Sequence, residues 1–313
     1  MILFIGPLAD SAAAHLTLLM IARDAEFVVL DPRNFGTEWD LAWWLSDGEM
    51  QGYVRVGPDR RIDLSEVQAV WAHMIALPDR QDEPGHGADV SQNDLLAGLS
   101  GFADCFPGMV ISRPASAASN TVKPFQSALI AKHGFEPIRT LITTCPDAAR
   151  AFCDELNGEA IFKSISWRRS IVRRVNEDDL NRMEHVRNCP TQFQEFVVGT
   201  DIRVHVAQDR VFATEIGCST DDYRYVPADG ERVMRGIELP PEVAARCVTL
   251  AESLGMTIAG VDLRRSPDGL YHCFEVNPSP GFMFYEQFTG QRIGDAFIDL
   301  VCEDAAPIGG ASL

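Results

Sequence analysis

A chain of 313 residues, 46% hydrophobic and 23% charged, carries enough apolar material for a large core and at this length divides into two or three lobes. Its net charge of -18 excludes a general surface for nucleic acid or an anionic membrane, both of which attract basic proteins, so any phosphate site has to be local. Eight cysteines (Cys105, Cys145, Cys153, Cys189, Cys218, Cys247, Cys273 and Cys302) form no C-x-x-C pair, which argues against a zinc ribbon or disulfide scaffold and fits reduced thiols in a cytoplasm.

The N-terminal MILFIG has no basic leader, and the later apolar run is broken by Arg23 and Asp24, so neither a signal peptide nor a membrane span is expected and the protein reads as cytoplasmic. "ILFIG", "HLTLLMIARD" and "EFVVLD" predict strand, helix, strand, the opening of a Rossmann-like parallel sheet. The first turn, Gly6 to Asp10, lacks the further glycines that let a backbone approach a pyrophosphate, so it reads as scaffold or substrate docking. "WDLAWWLSD" at 39–47 reads as a core helix or as an interface, leaving a homodimer open. "AVWAHMIALP" is a strand, 80–90 a polar loop, "SQNDLLAGLSGFADCF" a helix capped by Ser91, and "GMVISRP" a strand ending at Pro114. The small, turn-rich "PASAASN" is a linker, giving a first domain over 1–114.

A second lobe, 115–190, has a helix from Phe125 to Lys132 ended by Gly134, the strand "IRTLIT", a helix from Pro146 to Leu156, and the strand "AIFKSI". That last strand carries Lys163, either an edge lysine reaching water or an ammonium aimed at phosphate. The third, 191–313, opens with the strands "QFQEFV", "DIRVHVA" and "VFATEI". Asp201, Arg203 and His205 alternate on one face, and a helix runs from Pro241 to Leu254.

"GVDLRRSPDGLYHCFEVNPSPG" carries the chemistry. Asp268-Gly269 between two alternating runs signals a two-residue hairpin turn. That register sets Asp262 opposite Glu275 and on one face with Asn277, Arg264 opposite Cys273, and Val261, Leu263, Phe274 and Val276 on an apolar back face. Directly opposed carboxylates are destabilising, so something positive is expected between them. Two carboxylates and an amide oxygen are hard donors suited to Mg²⁺ with a substrate's phosphates. An exposed hairpin with solvated acids is the plainer alternative; the rigid Pro-Ser-Pro-Gly exit after Asn277 argues against it.

On these motifs the chain resembles the ATP-grasp carboxylate-amine ligases over roughly residues 118 to 302. "QEFVVGTDIR" resembles the family's adenine hinge and D-I-R strand, and "GVDLRR...FEVNPSPGF...TG" its metal-binding hairpin. The branch with the ribosomal-protein glutamate-adding and microviridin-type peptide-cyclising ligases is most similar, with "DDYR", "LPPEV" and "GFMFYEQFTG" favouring the cyclising kind. The resemblance implies an α/β chain with α+β lobes: an ATP-grasp fold behind an N-terminal Rossmann-like pre-ATP-grasp domain. It implies ATP and Mg²⁺ as cofactors. Lys123 and Lys163 would contact ATP phosphates; Gln194, Glu195, Phe196 and Val197 would form the adenine hinge, with Asp201 near the ribose. Arg203 and Arg224 would meet the phosphates or the acyl phosphate, and Asp262, Glu275 and Asn277 would hold the metal. In place of the glycine-rich phosphate loop of the glutamate-adding branch stands "SISWRRSIVRR", where Arg168 and Arg169 either replace backbone amides, grip an acidic substrate, or form a solvated loop.

The implied activity is ADP-forming activation of a carboxylate as an acyl phosphate for an amine or hydroxyl, on a peptide, with a precursor leader peptide as a potential partner. A ligase of amino acids or other small molecules and a non-catalytic nucleotide-binding module are the alternatives. Cys273 reads as a small buried residue on the metal face, and His205 as a lesser candidate for orienting phosphate or accepting a proton.

Overall fold

In a computed structural model, which describes residues 1–73, 88–165, 172–218 and 232–302, the described strands form four sheets. The buried β1 (Ile2–Ile5) leads into α1 (Ser11–Ala22), whose first turn is capped by Asp10: its Oδ1 accepts the Ala13 N–H at 2.9 Å. The chain returns parallel to β1 as β2 (Phe27–Leu30).

β3 (Trp39–Ser46), β4 (Glu49–Val56) and β5 (Arg60–Asp63) then form a separate antiparallel sheet. WDLAWWLSD is therefore a strand and not a core helix. Asp47 and Gly48, both at positive φ, make the two-residue turn that pairs Ser46 with Glu49, the Asp-Gly hairpin signal that decides between the two. Trp39 is buried, while Trp44 and Leu45 are exposed.

β6 (Ala69–Ala72), α2 (Ala88–Cys105) and β7 (Met109–Ile111) complete the first sheet, four parallel strands in the order β2-β1-β6-β7. α2 begins at Ala88, so Ser91 lies inside it and does not cap it. The polar loop expected at 80–90 lies, as far as residue 87, outside the described residues. "PASAASN" is helical: Pro114–Ala117 forms a tight turn that continues into α3 (Ala118–Thr121), and Ser116 Oγ donates to Gly255 O at 2.7 Å.

α4 (Lys123–Ile130) runs through a last turn to Gly134, which stops it in the left-handed conformation. β8 (Thr140–Thr143), α5 (Pro146–Glu155), β9 (Ala160–Ser164), β10 (Arg173–Arg174), α6 (Glu177–Asn181) and β11 (Thr191–Glu195) follow. They build a sheet in the order β10-β9-β11-β8, packed on α5 through Ala149, Cys153 and Phe193. Strand β11, placed after residue 190 in the sequence reading, hydrogen-bonds into this sheet between β8 and β9.

The last sheet takes β12 (Thr200–Ala207), β13 (Arg210–Cys218), β14 (Arg232–Ile237), β15 (Ile258–Arg265) and β16 (Tyr271–Asn277) in the antiparallel order β14-β13-β12-β15-β16. α7 (Pro241–Ser253) covers one face through Val243, Cys247 and Leu250. After α8 (Met283–Thr289), α9 (Ile293–Cys302) packs beside α1, so that Ile2, Phe4 and Trp71 of the first sheet share one core with Ile216, Ile258 and Phe297. Arg23 at the end of α1 bonds Asp295 at 2.7 Å and Asp299 at 2.9 Å. Among the described residues no helix is long and apolar enough to cross a membrane.

Because that core joins the first and last sheets, Phe297→Ala is expected to destabilise both together, by about 3–5 kcal/mol. Urea unfolding followed by fluorescence and by circular dichroism should shift by the same amount in both signals.

Candidate nucleotide and metal site

The β15–β16 hairpin does set Asp262 opposite Glu275, but by a different route from the expected one. The Ser266 N–H donates to Leu270 O at 3.0 Å and the Gly269 N–H to Ser266 O at 2.9 Å, so the loop has three residues, Pro267 to Gly269, and Gly269 takes the positive φ. This longer loop slips the pairing by one: Arg265 faces Tyr271, Arg264 faces His272 and not Cys273, and Leu263 faces Cys273. A β-bulge at Phe274 then adds one residue and restores the pairing of Asp262 with Glu275, Val261 with Val276 and Gly260 with Asn277. Two corrections follow. Cys273 turns into the core beneath α7 and is 5% exposed, and Phe274 leaves the apolar back face to line a cleft beside Glu275.

The expected positive charge comes from two side chains. Arg203 lies directly opposite Asp262 across β12–β15, and its Nη1 donates to Asp262 Oδ1 at 2.7 Å. On the other side Lys123 Nζ, from the first turn of α4, stands 3.8 Å from Glu275 Oε1. Charges therefore run plus, minus, minus, plus across β12, β15, β16 and α4. The Asn277 amide nitrogen donates to Asp262 Oδ2 at 3.2 Å and Gly260 O at 3.4 Å, which leaves its oxygen without a protein hydrogen bond among the described residues. Two carboxylates and this oxygen fit a hard divalent cation. Among the described residues no three His, Cys, Asp or Glu side chains gather into a cage, so a cation here would take its remaining ligands from water and a substrate's phosphates.

Next to this row a cleft opens between the last two sheets. Its walls include Lys123, Lys163, Gln194, Glu195, Phe196, Val197, Asp201, Asp262 and Glu275. Lys163 is 7% exposed, and its Nζ donates to Gln194 Oε1 at 3.3 Å, so it is no edge lysine reaching water. Along the hinge, the Glu195 N–H is taken by Arg139 O and the Phe196 N–H by Glu159 O, both at 3.0 Å, whereas the Val197 N–H has no protein partner among the described residues.

The sequence reading missed Arg264 as a cleft residue. Its Nε donates to Asp201 Oδ1 at 2.7 Å and its Nη1 to Val197 O at 2.9 Å, while the guanidinium sits 5.5 Å from the ring centres of both Phe196 and Phe274. Strand alternation with Asp262 was the available signal for Arg264; for Phe274 none existed, because a bulge leaves no mark in the alternation. Arg224, Arg168 and Arg169 lie outside the described residues.

His205 shares the β12 face of Asp201 and Arg203 and is fully buried. Its Nε2–H donates to Gly281 O at 3.0 Å and its ring meets Tyr285 edge-on at 4.8 Å, so it anchors the Pro-Ser-Pro-Gly exit of β16 and does not face the cleft. Burial, then the Arg203 charge, push it down to about 3 against the opposing Gly281 hydrogen bond, and it stays neutral near pH 7.

A model of the RimK-like ATP-grasp domain matches residues 118–301, from just before α4 to α9, the stretch that supplies the hinge, both lysines and the acidic hairpin. The chain belongs to the RimK-like ATP-grasp family. A probable alpha-L-glutamate ligase of Legionella pneumophila is 33% identical over 125 residues, 40% of this chain and 41% of that protein. The chain thus matches about two fifths of the length of this curated relative. Among solved structures, the ATP-grasp ligase PsnB, in complex with a phosphomimetic variant of its minimal precursor, Mg and ADP, is 26% identical with a TM-score of 0.79, over 96% of this chain and 97% of PsnB. The macrocyclase MdnC of Microcystis aeruginosa MRC, bound with the precursor peptide MdnA, has the same fold at 20% identity and a TM-score of 0.80, over 97% of this chain and 100% of MdnC.

In this ATP-grasp chain Gly260 is required sterically: a Cβ there would overlap Arg203 Nη2 and stand 2.6 Å from Pro280 Cβ. Gly260→Ala is expected to cost about 1–3 kcal/mol through overpacking. Gly281→Ala, where nothing lies within 4 Å of the added carbon, should change urea stability little and serves as the control.

His205 gives a second outcome. Unfolding returns it to 6.5, so between that pH and 3 the unfolded chain binds one more proton than the folded one. Stability therefore falls as pH drops through this window, by at most about 1.4 kcal/mol per unit. His205→Gln, which keeps an N–H for Gly281 O, should lose this slope when urea midpoints at pH 7 and pH 5 are compared.

Proposed function

We propose that the protein is an ADP-forming ligase that activates a carboxylate of a peptide substrate with ATP and joins it to an amine or hydroxyl. The observation that carries this reading is the lining of the cleft. Apolar side chains, Ile161, Val172, Phe196, Val197, Ile202, Leu263 and Phe274, share it with Lys123, Lys163, Asp262 and Glu275. A nucleotide asks for both: apolar surface for a flat base, and cations with a metal for its phosphates.

In this reading the Val197 N–H, which has no protein partner among the described residues, meets the edge of the adenine, with Gln194, Glu195 and Phe196 completing the hinge and Asp201 standing toward the ribose. Lys163 and Lys123 contact the phosphates. Asp262, Glu275 and Asn277 hold Mg²⁺, which when bound neutralises charge on the transferring phosphoryl group. Arg203, fixed by Asp262, offers positive charge to the phosphates or the acyl phosphate, a task Arg224 shares. A substrate carboxylate oxygen attacks the γ-phosphorus and the bond to the β-phosphate oxygen breaks, giving ADP and an acyl phosphate. The amine or hydroxyl then attacks the acyl carbon, phosphate leaves, and the nucleophile gives its proton to solvent. No protein nucleophile takes part.

The peptide substrate, and a leader segment that recruits it, draw support from likeness to PsnB, solved with a minimal precursor at 26% identity over 96% of this chain. Addition of glutamate or another small amine is the second reading; its support, the glutamate-ligase relatives, extends over 40% of this chain. A cytoplasmic homodimer is part of the proposal. So is a division into 1–114, a central lobe from 115 that takes in β11, and a C-terminal lobe after it.

With Mg-ATP and a synthetic peptide bearing Asp or Glu together with Ser, Thr or Lys, the full chain should release ADP and phosphate only when peptide is present. The peptide should lose one water per bond formed. A mass gain of one residue when free glutamate is supplied would favour the second reading, and AMP release would overturn both. Glu275→Gln is expected to lower ADP formation by about 10²- to 10³-fold while binding metal-free ADP as the wild type does.

A further inference from the structure

Among the described residues β16 is an edge strand: β15 pairs with it on one side, and on the other there is only an isolated parallel bridge, Glu136 to His272. It nevertheless carries Glu275 and Asn277, so its open edge has to be held if those two groups are to keep their positions. α4 holds it. The Gln126 side chain, 1% exposed, accepts the Val276 N–H at Oε1 (3.0 Å) and donates from Nε2 to Val276 O (2.8 Å). A primary amide offers a donor and an acceptor side by side, like a peptide group, so Gln126 pairs with Val276 as a neighbouring strand would. Val276 is the residue between Glu275 and Asn277. At the far end of the strand the Glu136 N–H donates to Tyr271 O at 2.9 Å, and the bulge at Phe274 lies between these two attachments.

Gln126 is also three residues beyond Lys123 on α4, hence on the same helix face. One face of one helix therefore delivers Lys123 to Glu275 and clamps the backbone between Glu275 and Asn277.

We propose that Gln126 is a positioning residue for the divalent cation: its side-chain amide replaces a missing strand and fixes Glu275 and Asn277 against Asp262. This inference rests on the reading of Asp262, Glu275 and Asn277 as metal ligands, and the test separates the two. Gln126→Met keeps the length of the side chain but removes both bonds. Gln126→Glu keeps the acceptor for the Val276 N–H and places an oxygen against Val276 O.

Mn²⁺ binding to the full chain is measured by electron paramagnetic resonance with a saturating, non-hydrolysable ATP analogue, and Tm is measured alongside. Partners that orient metal ligands change affinity by about 10- to 100-fold when removed, so Gln126→Met should raise the Kd for Mn²⁺ by about tenfold or more and Gln126→Glu by less. A lowered Tm with wild-type Mn²⁺ affinity in both variants would overturn the proposal, since a purely structural clamp predicts that result. If Gln126→Met fails to fold, Gln126→Glu decides by the same criterion. Absence of Mn²⁺ binding by the wild type with the analogue present would instead overturn the metal reading itself.

Discussion

Two carboxylates directly opposed on neighbouring strands repel each other, and the site is organised around relieving that repulsion. Asp262 and Glu275 each have their own cation: Arg203 from β12 on one side and Lys123 from α4 on the other. The pairs differ in character. Arg203 and Asp262 stand 2.7 Å apart with little exposure, so removing either leaves a poorly solvated charge. Lys123 and Glu275, at 3.8 Å, are more loosely joined, and the ammonium is freer to turn toward an anionic ligand.

Beside this row runs a second cross-strand pair of opposite sense, Asp201 on β12 with Arg264 on β15. Arg264 also holds Val197 O, so the same guanidinium ties the five-stranded sheet to the hinge that leaves the four-stranded one. Both cross-strand pairs, Arg203 with Asp262 and Asp201 with Arg264, are thus mounted on β12 and β15, two adjacent strands packed on α7 through Val204, Val206, Val261 and Leu263. One rigid support keeps a fixed spacing between the pairs, which phosphoryl transfer needs, since positioning supplies most of its catalysis.

The back of the site has an equally plain basis. Gly260 has no Cβ, so the Arg203 guanidinium can lie against β15, and neutral His205 holds Gly281 so that the chain leaves Asn277 in one direction. Both residues act at one remove from the cleft, although His205 reads in sequence as a lesser candidate for orienting phosphate or accepting a proton. Gln126 belongs with them, a side chain whose effect passes through the backbone of Val276.

Much of this was legible in the residue order. Alternating runs marked the strands, Gly134 and Pro146 bounded helices, and the acidic hairpin with its amide stood out because hard oxygen donors two apart on a strand share a face. Local pattern also placed Asp262 opposite Glu275, although there a longer loop and a bulge cancelled each other. Tertiary structure alone decided what depends on elements far apart in the chain or on the bulge: which cations flank the two acids, that Phe274 lines the cleft, that Cys273 does not, and that an amide from residue 126 closes the edge of the strand at 276. Periodicity records which way a side chain points along its own strand, but a bulge, a ladder between distant strands and a helix laid on a sheet edge are properties of packing, and packing is specified only when the whole chain has folded.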